Sequence, residues 1–354
     1  MATKGGAAAV ATAVSTTLYP LKGVGLVDIG INLTDDMYKG MYNHNSTPAH
    51  ANDLDAVVKR AADMGVTGLI ITGGNIQGST EAVNLAIAYN KKLMSSGTPL
   101  KCFATVGCHP TRSNEMKKMG VDKYLDALRA LLKAHTVKGR DKADPEGVVV
   151  AIGEFGLDYD RLHFSSKADQ LVGFKAQFEL VREFELPLFL HSRAAAEDFS
   201  EICKAEAETI KKVGGVVHSF TGSLEELDTY LALGFHIGVN GCSLKTDENL
   251  QNVKRIPLDR VHLETDAPWC EIKNSHASSP LVKGGPAQAA LASRYKENKK
   301  EKFAMGHMVK SRNEPCKMVE VLEAVYQLRK EEVKDREELA AIVLKNTQDV
   351  FPIA

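Results

Sequence analysis

The sequence predicts an α/β protein in which eight parallel strands alternate with helices and close into a TIM (β/α)8 barrel. Apolar, β-branched runs alternate with amphipathic stretches along the chain, at about 30 residues per unit. The runs are continuously apolar, which is typical of a parallel sheet buried on both faces. No G-x-G-x-x-G motif follows the first run, and this favours the barrel over an open dinucleotide-binding sheet.

The individual elements follow from this pattern. The predicted strands are 25–32, 67–73, 101–107, 147–153, 186–190, 214–217, 235–241 and 261–265. Helices with one apolar face are predicted at 52–64, 79–93, 121–135, 168–184, 195–212, 223–233 and 248–255, followed by two C-terminal closing helices at 319–329 and 337–344. Asn313, Glu314 and Pro315 predict a helix start with Asn as its cap.

The predicted domain organisation is one barrel domain over 21–354. Residues 1–20, rich in Ala, Thr and Ser, are expected to be a disordered leader. Residues 271–313 form a long connection rich in Ser, Gly and Lys. Because connections of this length are uncommon and usually functional or disordered, we expect a rim segment there. Its basic stretch, 294–302, either guides a polyanion or is a solvated loop.

Composition excludes several classes of protein. The chain carries 44 Lys and Arg against 45 Asp and Glu, so overall charge provides no attraction to nucleic acid or to an anionic membrane. No apolar run reaches the roughly 18–20 residues of a membrane span. The six cysteines form no C-x-x-C pair, which fits a reducing compartment, and we expect a cytoplasmic or nuclear protein, with a mitochondrial one as the alternative.

Four residues of metal-ligand type follow four of the predicted strands. Glu154 follows VVVAIG, His191 follows LPLFL, His218 follows GGVV and Asp266 follows VHLET. Each has an ordinary structural role open to it: a cap or ion pair for an acid, a hydrogen-bonded residue for a histidine. The carboxyl ends of barrel strands converge on one face, however. Two imidazoles and two carboxylates at that face predict a divalent-metal hydrolase, in which Asp266 is a ligand or the base for an attacking water.

Further polar residues flank these four. Arg193 either clamps a phosphate or pairs with an acid of the barrel rim, and His109 either contacts substrate or is a plain loop residue. Glu264 is expected to support the ligands from behind or to be a buried structural acid.

At the level of motifs, DIGINLTD, TVGCHPT, AIGEFGLDYDR, PLFLHSR, VVHSFTG, LETDAPW and SRNEP resemble the TatD family of metal-dependent deoxyribonucleases. The resemblance covers nearly the whole chain from Gly25. It implies a barrel of the metal-dependent hydrolase type, with Glu154, His191, His218 and Asp266 as metal ligands. It further implies His109 and Arg193 as phosphate contacts and Glu314 in a segment that supports the rim, where Glu314 is also expected behind the ligands. Asn32 and Thr34 stand where many such hydrolases have a His-x-His pair, so a leaner site is expected, with Asn32 behind the ligands.

The expected function is therefore divalent-metal-dependent hydrolysis of phosphodiester bonds in DNA, as a 3′–5′ exonuclease on single strands or chain ends, in DNA repair or degradation. Glu154 and Asp266 are the expected catalytic residues. One or two ions are expected, with Mg²⁺ ahead of Mn²⁺ and Zn²⁺. The alternative is a small-molecule metallohydrolase on the same barrel, since one fold hosts both. Intact ligand positions argue against a non-catalytic scaffold, and no membrane or obligate protein partner is expected.

Overall fold

Eight parallel strands follow one another in sequence order around the sheet, each hydrogen-bonded to the next. The computed structural model describes residues 19, 21–43, 47–137 and 147–353. The strands are β1 (Leu26–Ile31), β2 (Val66–Ile71), β3 (Lys101–Val106), β4 (Val149–Asp158), β5 (Leu188–Arg193), β6 (Gly215–Val217), β7 (His236–Val239) and β8 (Val261–Leu263).

The sheet curls until its last strand approaches its first. The backbone N–H of Asp266, just past β8, donates to the carbonyl of Gly30 over 2.9 Å, and that of Asn32 donates to Ala267 over 2.8 Å. The Asp28 carboxylate accepts the N–H of Thr265 at 2.9 Å. These bonds nearly close the ring, so the predicted (β/α)8 barrel is confirmed.

Helices surround the barrel. They are α1 (Leu54–Asp63), α2 (Ile76–Ser95), α3 (Ser113–Met119), α4 (Val121–His135), α5 (Lys167–Phe184), α6 (Ala196–Ala205), α7 (Ala207–Val213), α8 (Leu224–Ala232), α9 (Asp247–Arg255), α10 (Ser279–Val282), α11 (Pro286–Arg294), α12 (Met318–Arg329) and α13 (Arg336–Val350). The prediction of one helix over 195–212 was wrong, because the backbone leaves helical geometry at Glu206 (φ −103°, ψ 16°). The seven-residue α3 was missed, since it carries too few apolar positions to show a period.

The barrel interior is filled by side chains and is therefore no pore. One buried cluster includes Ile29, Ile70, Phe189 and Val216 from the strands, with Phe351 from the C-terminal tail beneath them. The tail is held in place by α13, whose Asn346 side chain donates to the carbonyls of Leu258 and Val261. The closed lower end leaves the carboxyl ends of the strands as the accessible face.

Residues 271–313 have more structure than the sequence predicted. They hold α10, α11 and a small parallel pair, β9 (Glu297–Asn298) and β10 (Met308–Val309). The basic stretch is partly engaged, because Arg294 donates to the carbonyls of Asp63 and Tyr19. Pinned to the barrel in this way, the segment is a folded part of the rim.

The expected leader, 1–20, lies outside the described residues except for Tyr19. That residue is buried, and its hydroxyl donates to the Glu323 carboxylate at 3.2 Å, so at Tyr19 the prediction of disorder was wrong. In the described ranges no helix is both long enough and apolar enough to cross a membrane.

Candidate metal centre at the mouth of the barrel

Strand β4 runs further than its apolar run predicted, and this places two acids on one face of it. The strand was expected to end at residue 153, yet it pairs with β5 through Asp158, and Glu154 lies within it. Phe155 points outward and packs edge-to-face on Phe174 and Phe178 of α5. Because side chains alternate along a strand, Glu154 and Asp158 both face the barrel axis.

A close approach of backbones aligns β4 with β5. A Cβ built on Gly156 would lie 1.9 Å from the carbonyl oxygen of His191, and the φ of this glycine is +146°. Only glycine allows this contact and this φ. The approach sets His191, which likewise lies inside its strand and not after it, directly beside the two acids.

Three imidazole rings surround one carboxylate oxygen of Glu154. Oε1 of Glu154 lies 2.7 Å from Nε2 of His218, 2.9 Å from Nδ1 of His191 and 3.3 Å from Nε2 of His109. Glu154, His191 and His218 thus form a cluster of converging ligand atoms.

The electrostatics of this cluster favour a carboxylate facing cationic partners. Burial alone raises the pKa of Glu154, but the charges of His218 and His109 outweigh it and hold that pKa well below its usual range. Burial lowers the pKa of His218, yet Glu154 and Glu264 together raise it well above the ordinary value. Negative charge thus dominates around His218, and a bound cation would be stabilised there.

A second cluster shares His191. Its Nε2 lies 3.3 Å from Oδ2 of Asp158, and His109 completes the group. Neither that nitrogen nor either Asp158 oxygen has a hydrogen-bond partner in the described part of the chain, although all three atoms are buried. Buried polar atoms are nearly always satisfied, so these three atoms are suited to hold a ligand.

The donor set fits a divalent metal ion. Imidazole nitrogens and carboxylate oxygens are the ligands that Zn²⁺ and related ions take, and the unsatisfied atoms face one another at a distance that one ion can bridge. Sequence reasoning missed Asp158, even though it lies in the motif AIGEFGLDYD. The alternation E-F-G-L-D, which puts an acid at each end of one strand face, would have revealed it.

Glu264 lies behind His218. Its Oε2 is 3.3 Å from Nδ1 of His218, and its Oε1 accepts from the backbone N–H of Ser219 and, at 3.4 Å, from Nδ2 of Asn240. The His218 ring also stacks on Phe189, with centroids 4.6 Å apart. A carboxylate on the far nitrogen of a ligating histidine fixes its ring and tautomer, so the contacts of Glu264 suit the supporting position expected for it.

Asp266 lies at the same mouth but outside both three-ligand clusters found among the described residues. Its Oδ1 accepts from Nδ2 of Asn32 at 2.9 Å, and its Oδ2 lies 3.2 Å from the Cys270 thiol. Burial raises its pKa to about 6. Asn32 therefore holds the Asp266 carboxylate in place.

The two expected phosphate contacts are placed differently. His109 joins the second cluster, and its Nδ1 lies 2.7 Å from the Thr111 hydroxyl. Arg193 is on the rim, where its side chain is 45% exposed and its Nε donates to Oδ2 of Asp160 at 2.8 Å. Of the two roles open to Arg193, the structure shows the ion pair with a rim acid.

Glu314 lies outside both three-ligand clusters found among the described residues, and its carboxylate contacts arginines of the rim. Its buried carboxylate accepts from Arg60 at 2.7 Å and from Arg312 at 2.9 Å. Asn313 caps no helix; a short 3-10 turn (Pro315–Lys317) follows instead, without a side-chain cap. The Asn313 side chain donates to the carbonyl of Thr265 and so steadies the loop before Asp266.

Comparison with known proteins agrees with this geometry. The family model described as TatD related DNase matches residues 27–352. A Schizosaccharomyces pombe protein named Deoxyribonuclease Tat-D is 41% identical, over 87% of this chain and 91% of the relative. An Erwinia amylovora protein named 3′-5′ ssDNA/RNA exonuclease TatD is 32% identical, over 92% and 99%.

A solved structure gives the same result. The TatD family hydrolase of Entamoeba histolytica superposes with a TM-score of 0.78 at 34% identity, over 93% of this chain and 98% of that one. The family match covers more than half of the chain, and the resemblance seen in the motifs is confirmed. This chain belongs to the TatD-related DNase family.

Proposed function

We propose that this protein is a divalent-metal-dependent deoxyribonuclease that removes nucleotides from single-stranded DNA in the 3′–5′ direction. The observation that carries the proposal is the pair of ligand clusters sharing His191 at the barrel mouth, with unsatisfied Asp158 oxygens. The names of the S. pombe and E. amylovora relatives support DNA as substrate and the polarity.

Glu154, Asp158, His191 and His218 would hold the metal, with His109 beside them. When bound, a divalent ion lowers the pKa of water and offsets the charge of the phosphate. Mg²⁺ was the first expectation from sequence. A set with three imidazoles favours Mn²⁺ or Zn²⁺ instead, because Mg²⁺ prefers oxygen ligands.

The remaining side chains handle the proton and the substrate. Asp266 faces the centre from the strand-end loop, and Asn32 fixes the orientation of its carboxylate. With a pKa of about 6, it is ionised at neutral pH and accepts the proton of the attacking water. Arg193 exchanges its partner Asp160 for a phosphate oxygen of the strand and positions the chain end.

The proposed cellular setting rests on the cysteines. All six are free thiols, as expected for a protein kept in a reducing compartment, and we place it in the cytoplasm or nucleus. Its proposed partner is single-stranded DNA or a free DNA end.

The test is cleavage of single-stranded DNA labelled at its 5′ or 3′ end, with Mg²⁺, Mn²⁺, Zn²⁺ or EDTA. We expect EDTA to abolish cleavage, and a 5′ label to yield a ladder that shortens stepwise from the 3′ end. Glu154→Gln should lose cleavage and bound metal together. The exposed Glu185→Gln serves as the matched control. Full activity and metal content in Glu154→Gln would contradict the assignment of the centre.

The small-molecule alternative is tested in parallel with lactone, amide and phosphomonoester substrates. If the protein turns over any of these faster than DNA, and Glu154→Gln abolishes that turnover, the protein is a small-molecule metallohydrolase and not a nuclease. The same centre can serve either reaction, so the comparison of rates decides between them.

A further inference from the structure

Two cysteines lie beside the metal centre, one on each of two neighbouring loops. Cys242 follows β7, and Cys270 lies four residues after Asp266 in the loop that follows β8. Both are partly exposed, whereas Cys102, Cys108, Cys203 and Cys316 are buried. Only this pair of thiols is therefore placed to meet a small reagent from solvent.

The two thiols contact each other and reach the centre. The side chains of Cys242 and Cys270 are close enough to interact with each other. The Cys270 sulphur also lies 3.2 Å from Oδ2 of Asp266, where the thiol donates. The backbones are equally close, since a Cβ on Gly241 would lie 2.0 Å from the carbonyl oxygen of Cys270.

Both loops are firmly held. Oδ1 of Asn240 accepts the backbone N–H of Cys242 at 2.9 Å, while its Nδ2 donates to Glu264, the acid behind His218. In the other loop, the N–H of Trp269 donates to the carbonyl of Asp266 at 3.0 Å. Both cysteines therefore lie on loops that are held in place by hydrogen bonds.

A metal ion is a poor explanation for the pair. The converging three-ligand clusters among the described residues contain neither thiol. Two adjacent, accessible thiols suit a two-electron oxidation instead, because a first oxidised sulphur finds its partner already in contact.

We propose that Cys242 and Cys270 form a reversible disulfide when the protein meets hydrogen peroxide, and that this disulfide inhibits the metal centre. The sulphur of Cys242 attacks the O–O bond, giving a sulfenic acid and one water. The sulphur of Cys270 then displaces the hydroxyl as a second water and forms the S–S bond. Two thiols and one peroxide thus yield one disulfide and two waters.

Cys242 is the thiol that reacts first. The neighbouring Cys270 side chain lowers the pKa of Cys242, and the charges of Lys245 and Arg193 act in the same direction. Cys270 suits the resolving role, since its own proton is directed to Asp266.

The bond would inhibit because it changes what holds Asp266. Forming it draws the sulphurs to about 2.05 Å and consumes the Cys270 thiol that donates to Oδ2. Of the side-chain bonds that Asp266 makes within the described part of the chain, the one from Asn32 then remains. The disulfide would also tie the loop of Asp266 to the loop of Asn240. The Asn240 side chain donates to Glu264, the acid behind His218. The inhibitory half of this inference rests on the proposed nuclease function, whereas formation of the disulfide does not.

The experiment treats the full-length, metal-loaded protein with hydrogen peroxide and follows it by peptide mapping and by DNA cleavage. We expect a cross-linked peptide containing Cys242 and Cys270, with the loss of two hydrogens. Cleavage should fall about tenfold and return with dithiothreitol. Cys242→Ser should cleave DNA normally before treatment and keep that activity in peroxide, whereas Cys203→Ala, with a buried thiol removed, should stay sensitive.

Mapping separates the possible failures. Oxidation of either sulphur to sulfinic or sulfonic acid without a cross-link would overturn the proposal. So would a cross-link that leaves cleavage unchanged, or loss of activity in Cys242→Ser at the wild-type rate. If the protein shows no nuclease activity, the proposed function is refuted. The mass of the cross-linked peptide would still show whether the disulfide forms.

Discussion

Nε2 of His191 lies 3.3 Å from Oδ2 of Asp158, and in the described part of the chain neither atom has a hydrogen-bond partner. The other nitrogen of the same ring lies 2.9 Å from Glu154. His191 therefore stands between two acids of one strand. On the Asp158 side, together with His109, the buried donor atoms are suited to hold a metal ion.

Replacing Asp158 by Asn should weaken metal binding about 10–100-fold, because an amide keeps the shape of the carboxylate and loses its charge. Bound metal after dialysis, and titration calorimetry of the metal-free protein, measure the change. Asp160→Asn is the matched control, since this acid is two residues away but exposed on the rim. Equal affinities in both variants and the wild type would remove Asp158 from the centre.

Replacing Arg193 by Ala should raise KM for single-stranded DNA about tenfold, or about 1.4 kcal/mol, with little change in kcat. The guanidinium is expected to bind the strand and not the reacting atoms. Steady-state kinetics on a short oligonucleotide give both constants. Arg182→Ala removes an equally exposed arginine, paired with Glu206 in the helical layer, and should leave KM unchanged. A rise in KM that matches the control would leave Arg193 with only its ion pair to Asp160.

Replacing Glu314 by Ala should lower the free energy of unfolding by about 3–5 kcal/mol, because Arg60 and Arg312 would remain buried with their charges poorly compensated. Urea denaturation measures the loss. Glu301→Ala, an exposed acid of the same rim segment, should stay within about 0.5 kcal/mol of the wild type. A small effect of Glu314→Ala would mean that the four-residue charge cluster with Asp53 contributes little to stability.

Acid should destabilise the fold through two histidines at the lower end of the barrel. Nδ1 of His236 lies 2.9 Å from Nε2 of His262, which is fully buried. Burial, with Arg260 nearby, lowers the pKa of His236 to about 4, and burial lowers that of His262 well below its usual value. Both rings are thus neutral in the folded protein but gain a proton near pH 6.5 when unfolded.

The stability that these rings contribute is therefore complete above about pH 6.5 and is lost as the pH falls towards 4. Denaturation at several pH values between 7 and 4 measures the slope. A His236→Gln/His262→Gln variant should show a shallower loss, while the exposed His163→Gln should follow the wild type. Parallel curves for all three proteins would refute a contribution from the pair.

Barrel topology and most element positions could be predicted from sequence because burial on both faces leaves long apolar runs. The same rule failed at the centre. Beyond Gly153 the inner face of β4 turns polar while Phe155 and Leu157 still face the helices, so the apolar run ends before the strand does. For that reason Asp158 was not identified from the sequence as a site residue.

Pairings between distant residues could not be predicted. Arg60 and Glu314 are 254 residues apart in sequence, and the sequence around neither residue indicates that the two pair. An acid in the motif SRNEP looked like a rim residue close to the ligands. Only the fold shows that two arginines already satisfy its carboxylate and that its neighbour Asn313 makes the contact with the Asp266 loop.

Phe155 packs against Phe174 and Phe178, and Gly156 fits tightly on His191. Together these contacts fix which residues of β4 face the barrel axis and which face the helices. Insertion or deletion of one residue before Glu154 would invert every later position of the strand. Both acids would then turn into the helical layer, and an aromatic ring would occupy the middle of the centre. A change in length here would therefore abolish metal binding in one step, whereas single substitutions in the same strand would weaken it by degrees.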